Sequence, residues 1–212
     1  DDGSKDATGE ILQRLTITSG GQIDAISLSE NRGKAEAVRQ GVLYALRSGL
    51  CDIGFWDADL ATPLRELDCF RNVLRENAHL KIVCGTRVCR LGANILRHWY
   101  RHYPGRVVAT LISLILRLPM YDTQCGAKLF RAETAAQVFR EPFVSTWLFD
   151  VELIARTVGM LGNNEARNVI YELPLHEWCD VEGTKISLSY LPRMPLELIK
   201  IAYHYRRQLT KP

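Results

Sequence analysis

Apolar and polar positions alternate along this chain with two different periods, and the switches between them mark its elements. DATGEILQRL has helical spacing, with Thr8 placed as its N-cap. IDAISL (23–28) reads as a short strand. NRGKAEAVRQGVLYALRSG (31–49) predicts a helix with Val38, Val42, Ala45 and Leu46 on one face and Gly49 as its stop. CDIGFWDAD (51–59) is apolar almost throughout, as in a strand buried on both faces. PLRELDCFRNVLRE (63–76) predicts a helix with Pro63 at its first position, and LKIVCGTR (80–87) predicts the next strand.

Strand, helix, strand, helix, strand is the order of an α/β fold with a mainly parallel sheet flanked by helices. The second half is more mixed. It predicts a long helix over roughly 95–118, a strand at 126–131, helices near 132–140 and 148–160, and a strand at 168–178. The tail from Ser187 to Leu209 is apolar and helical, interrupted by Pro192 and Pro195. The division expected is one domain over 1–186 and an amphipathic helical tail over 187–212. The opening DDGSKDATGE reads as a turn and not as a natural domain start, so further chain is expected upstream of it.

Bulk properties narrow the picture only a little. The 212 residues suit one domain of ordinary size, and 47% hydrophobic residues suffice for a core. A net charge of +3 is too weak to argue for nucleic acid. The basic residues are uneven, however. Residues 87–106 are rich in arginine and hold no Asp or Glu, which suits a phosphate-rich ligand or an anionic membrane face. The six cysteines form no C-x-x-C pair and read as reduced, mostly buried and cytosolic. The longest apolar run, 107–120, is broken by Arg117 and Pro119 and is too short to span a bilayer.

The candidate chemistry begins at GFWDADLATP. On a strand, residues i and i+2 face the same way, so Asp57 and Asp59 are expected to project together. Two adjacent carboxylates repel unless a cation joins them or one is protonated. Mg²⁺ or Mn²⁺ is commonly held by one or two carboxylates together with substrate phosphates. The plainer alternative is a turn in which Asp59 caps the following helix.

Context favours the metal. DDGS, NRGKAEAVRQG, GFWDADLATP, GTR, DTQCGAKLFR, WLFDVEL and HEWCDVEGTKIS follow one another in that order. The chain thereby resembles the family 2 glycosyltransferases of the GT-A, Rossmann-like fold, and within them the dolichyl- and polyprenyl-phosphate glucosyltransferases. The resemblance covers nearly the whole chain. It implies that Asp1 and Asp2 contact the nucleotide, with Lys34 nearby, and that Asp57 and Asp59 hold the metal and the sugar nucleotide, Asp59 being the stronger ligand. Related mannosyl-phosphate synthases carry a further metal-binding Gln where this chain has Ala61.

The same resemblance places Arg87, Arg101 and Arg106 on the acceptor phosphate, where forked guanidinium groups suit its oxygens. Asp122, Gln124 and Gly126 would form a loop beside the sugar, followed by Lys128 and Arg131. Asp150 or Glu152 would be an acceptor-side acid, although acids at a helix start also serve the helix dipole. Trp178 and Lys185 would belong to a loop closing on the diphosphate.

The implied reaction moves a hexose, glucose from UDP-glucose, to a polyprenyl or dolichyl phosphate with inversion. The acceptor phosphate is already anionic, so no strong general base is required. The expected partners are the nucleotide sugar, the lipid phosphate, a membrane surface met on its cytoplasmic face, and a second copy in a homodimer. Rival readings are another donor (GDP-mannose or UDP-GlcNAc), a soluble or glycan acceptor, a nucleotidyltransferase, and a non-catalytic homologue.

Overall fold

A computed structural model describes residues 1–96, 99–181 and 194–209, the side chains of 99–104 excepted. Its elements run α1 (Thr8–Thr18), α2 (Lys34–Ala45), β1 (Asp52–Trp56), α3 (Leu67–Glu76), β2 (Ile82–Thr86), β3 (Asn94–Leu96), α4 (Trp99–Leu116), β4 (Ala127–Arg131), α5 (Ala132–Val138), α6 (Phe149–Leu161), α7 (Asn163–Val169), β5 (Ile170–Pro174), β6 (Glu177–Cys179) and α8 (Met194–Leu209). Short 3₁₀ turns extend α2 to Ser48 and precede α3 at Leu64–Glu66. Gly49 stops the first of these in the left-handed region at φ 71°, as the sequence predicts.

The fold is α/β, with a four-stranded sheet ordered β1-β4-β2-β5 and a two-stranded ribbon of β3 and β6. β4 lies between β1 and β2 and pairs antiparallel with both, while β2 and β5 pair parallel. β1, β2 and β5 therefore share one direction and β4 alone is reversed. The register sets Trp56 opposite Ala127, so β4 begins where β1 ends. The loop entering β4 is thus delivered to the carboxyl ends of the neighbouring strands, the edge at which open α/β sheets bind ligands.

Two apolar clusters fill the two sides of the sheet. The larger joins Ile53, Ile82 and Phe130 to α6 and to Leu198, Ile201, Tyr205 and Leu209 of α8. The smaller joins Phe70, Leu74, Val83, Leu129, Leu175 and Trp178. The inner face of the tail helix is therefore part of the core, packed against α6.

Several expectations are corrected. Residues 23–28 form no strand; they meet the chain start through the Leu28 N–H donating to the Asp1 carbonyl and the Asp1 ammonium donating to the Ile26 carbonyl, and no ladder extends from these two bonds. The strand expected over 168–178 is two strands and a short helix, because Pro174 ends the first ladder. Pro195 does not break the tail helix. It occupies the first turn, where its missing N–H has no partner to lose. Of the six cysteines, all free, Cys84 and Cys125 are buried and Cys69 is intermediate, but Cys51, Cys89 and Cys179 are exposed.

Candidate active site

β1 ends at Trp56, so Asp57 and Asp59 lie beyond the ladder, in a turn closed by the Leu60 N–H donating to the Asp57 carbonyl at 3.1 Å. Leu60 takes the left-handed region there, at φ 54°. The strand-periodicity argument for a shared face therefore does not apply; the turn orients the two acids instead. Asp59 is exposed, and its Oδ1 accepts the Ala61 N–H at 3.0 Å. Ala61 itself is buried in the smaller cluster, and its carbonyl accepts the Cys179 N–H.

Asp57 is half-buried and pairs with Lys34, whose Nζ lies 2.6 Å from Oδ1. Lys34 is brought there as the first residue of α2. Asp2 fixes that helix start: its two carboxylate oxygens accept the N–H groups of Arg32 and Gly33 at 2.7 and 2.9 Å. Asp1 Oδ1 accepts the Ser4 N–H. Asp1 and Asp2 thus organise the backbone around Lys34. The ammonium of Lys34 marks Asp57 as a place already holding positive charge. One half-buried and one exposed carboxylate at a strand end form a donor set that fits Mg²⁺ or Mn²⁺, ions that keep several waters and share substrate phosphates.

Behind Asp57 lies a buried ion pair. Lys128 of β4 is fully buried, and its Nζ donates to Asp150 Oδ1 at 2.6 Å and to the Cys125 carbonyl at 2.7 Å. Burial by itself would favour the neutral amine, but Asp150 holds the proton on Lys128 and raises its pKa. Burial also pushes the Asp150 carboxyl up, outweighing the opposing pull of Lys128 and Lys34. Asp150 and Glu152 part company along α6. Glu152 accepts the N–H groups of Val144 and Ser145, an Arg156 N–H and the Tyr205 hydroxyl, so all its bonds are structural.

The loop 122–126 joins this half of the site to a second one. At its far end Gly126 sits so close to Asp57 that a Cβ there would fall 2.0 Å from the carboxylate. Its carbonyl accepts the Asp57 N–H at 2.8 Å. At its near end Asp122 is gripped by Arg87, whose Nε and Nη2 donate to its two oxygens at 2.6 and 2.8 Å. Burial would raise the Asp122 carboxyl, but the guanidinium charge and hydrogen bonds bring it down to about 2. Glu172 of β5 holds the same loop by accepting the N–H groups of Tyr121 and Asp122.

Arg87, Arg106, Gln124, Thr123 and Tyr121 line one small cavity at this second half. Arg106 donates to the Tyr121 carbonyl at 2.8 Å and stacks on its ring at 3.6 Å. Arg87 lies over the Trp178 ring at 5.3 Å. The Thr123 hydroxyl is buried and finds no hydrogen-bond partner among the described residues. Lys185 lies outside the described residues, as does the side chain of Arg101. Lys128 and Glu172, which hold the site in shape, were not given those roles by the sequence. The only signal for Lys128 was a lysine inside an otherwise apolar strand.

A family model described as glycosyl transferase family 2 matches residues 1–144. Among curated proteins, a dolichyl-phosphate beta-glucosyltransferase of Trichomonas vaginalis is 32% identical over 97% of this chain and 60% of its own length. The Saccharomyces cerevisiae protein of that name is 30% identical over 96% and 63%. This chain therefore spans about 60% of the length of the curated relatives it matches. Among solved structures, glucosyl-3-phosphoglycerate synthase from Mycobacterium tuberculosis, crystallised with Mn²⁺ and UDP-glucose, superposes with a TM-score of 0.66 at 18% identity. That match covers 97% of this chain and 66% of the other, and it shows a common fold. With the matched region containing the acidic turn, the Lys34 helix and the whole 122–126 loop, the chain belongs to glycosyl transferase family 2.

Proposed function

We propose that this protein, as part of its full-length form, transfers glucose from UDP-glucose to a dolichyl-type phosphate with inversion at the anomeric carbon. One observation carries the reading: a five-residue loop, 122–126, binds an arginine-lined cavity at one end and the Asp57 carboxylate at the other. A donor diphosphate on the Asp57 side and an acceptor phosphate on the Arg87–Arg106 side would then be separated by that loop. Asp57 and Asp59 would hold Mg²⁺ or Mn²⁺, which when bound offsets charge on the diphosphate. Lys34 is poised to exchange Asp57 for a phosphate oxygen. Arg106, Gln124 and the Thr123 hydroxyl supply donors for the acceptor phosphate, while Asp122 holds Arg87 in a fixed orientation. Asp150 is committed to Lys128 and serves to position the 125–128 backbone.

The lipid acceptor is supported by two exposed apolar stripes on helices that touch each other. Val107, Leu111 and Leu114 lie at helical spacing on α4, and Leu196, Ile199 and Tyr203 on α8, next to Lys200, Arg206 and Arg207. No helix among the described residues is long and apolar enough to cross a membrane. Contact through these stripes would place the protein on a membrane surface. The test is transfer of labelled sugar by the full-length protein from UDP-glucose, GDP-mannose and UDP-GlcNAc, with dolichyl phosphate and with a soluble phosphate acceptor. Labelled lipid from UDP-glucose alone is the expected result. Labelling only of the soluble acceptor would overturn the lipid reading.

A further inference from the structure

Away from the acidic turn, Glu66, Cys69 and His176 bring a carboxylate oxygen, a thiol sulfur and an imidazole nitrogen within 4.8 Å of one another. We propose that these three residues form a second metal site, for a zinc-class transition-metal ion. Glu66 and Cys69 are three residues apart across the junction of the 3₁₀ turn and α3, so they share a helical face. His176 comes from the link between β5 and β6, more than a hundred residues later. Chain folding, not local spacing, assembles the trio.

The donor chemistry differs from that of the acidic turn. Thiolate and imidazole are the ligands of zinc and its neighbours, and three protein ligands with an open fourth position are a familiar zinc arrangement. Mg²⁺ would not choose a thiolate. The carboxylate is pre-oriented. Glu66 is buried, and its Oε1 accepts the N–H groups of His176 and Glu177, both at 3.1 Å, which leaves Oε2 facing the His176 ring with Nδ1 at 3.4 Å. Cys69 is half-buried and free. The imidazole is 57% exposed, so its ring can turn and solvent can supply the remaining ligand. An ion here would tie the start of α3 to the strap leading into β6 and Trp178, over which Arg87 lies.

The probe is Co²⁺, which reports a thiolate ligand by a charge-transfer band in the near ultraviolet and tetrahedral geometry by its visible d–d absorption. Titration of this chain is expected to give both signals at one equivalent, and added Zn²⁺ is expected to abolish them. Cys69→Ser should remove the charge-transfer band, and His176→Ala should weaken binding at least about tenfold. Asp59→Ala should leave the band intact, which separates this site from the acidic turn. Parent protein with no thiolate band, or a band undiminished in Cys69→Ser, overturns the proposal. The parent titration decides the matter even if a variant fails to fold.

Discussion

Gly126→Ala tests how the site depends on the placement of Asp57. The alanine methyl would lie 2.0 Å from the Asp57 carboxyl carbon and Oδ2, and 2.5 Å from Oδ1. Ordinary contact begins at 3.4 Å, so the carboxylate must withdraw by about 1.4 Å. Gly126 is not in the left-handed region, so alanine imposes no backbone strain of its own. The atoms it meets are the end of a side chain that can swing away, so folding stability should stay within about 1 kcal/mol of the parent. Function is less tolerant: a misplacement of about 1 Å in a reacting constellation can cost roughly a hundredfold. The Lys34 ion pair at 2.6 Å would be lost as well. Labelled-sugar transfer should therefore show kcat/KM down about a hundredfold while the melting temperature barely moves. Gly9→Ala, where a methyl meets nothing within 4 Å, is the matched control and should be neutral. A Gly126→Ala protein that transfers sugar at the parental rate would refute the argument that Asp57 must keep this position.

Truncating Lys128 to Met leaves the Asp150 carboxylate buried without its 2.6 Å partner, and should cost about 3–5 kcal/mol in denaturant unfolding. A loss under 1 kcal/mol would mean the pair is not what holds β4 to α6. The Asp122 carboxyl, lowered from 3.8 to about 2, contributes stability that is present above its ordinary pKa and disappears as pH falls towards 2. That contribution is about 2 kcal/mol, and Asp122→Asn should flatten this acid limb in pH-dependent melting. Replacing Leu196, Ile199 and Tyr203 together by Ser should abolish sedimentation with anionic lipid vesicles and leave the melting temperature within a few degrees, since all three are exposed. Tyr205→Phe removes a hydroxyl bonded to both Glu152 and Arg156, and should lower unfolding free energy by about 1–3 kcal/mol.

The elements whose hydrophobic period is sustained were legible: α2, α3, β1, β2 and β4 fall inside the segments the pattern marks out, and α6 overruns its segment by one residue. The reversal of β4 was not, because AKLF is as apolar as a parallel strand would be and direction leaves no local trace. Asp57 and Asp59 were found by motif, but the strand argument for their geometry failed because the ladder stops one residue earlier. Arg87 and Asp122 were both named, yet their mutual grip spans 35 residues and exists only once β2 and the loop before β4 are neighbours. Lys128 was noticed only as a residue following the loop. A lone lysine in a strand is ordinarily solvated, and only the fold shows that this one is sealed beneath the site.

The inner face of α8 belongs to the core while its outer face is exposed, and that constrains how this protein can be trimmed. Its inner face sends Tyr205 to Glu152 and Glu197 to the Ser145 hydroxyl, and the Ser145 oxygen in turn accepts the N–H of Leu148, the residue just before α6. Cutting the chain before Met194, the obvious route to a more soluble protein, would remove Leu198, Ile201, Tyr205 and Leu209 and bare the apolar side of α6 that they cover. It would also loosen the 144–146 segment, whose Ser145 is held by Glu197. Greater solubility has to be sought on the outer face alone, side chain by side chain, with the helix left in place.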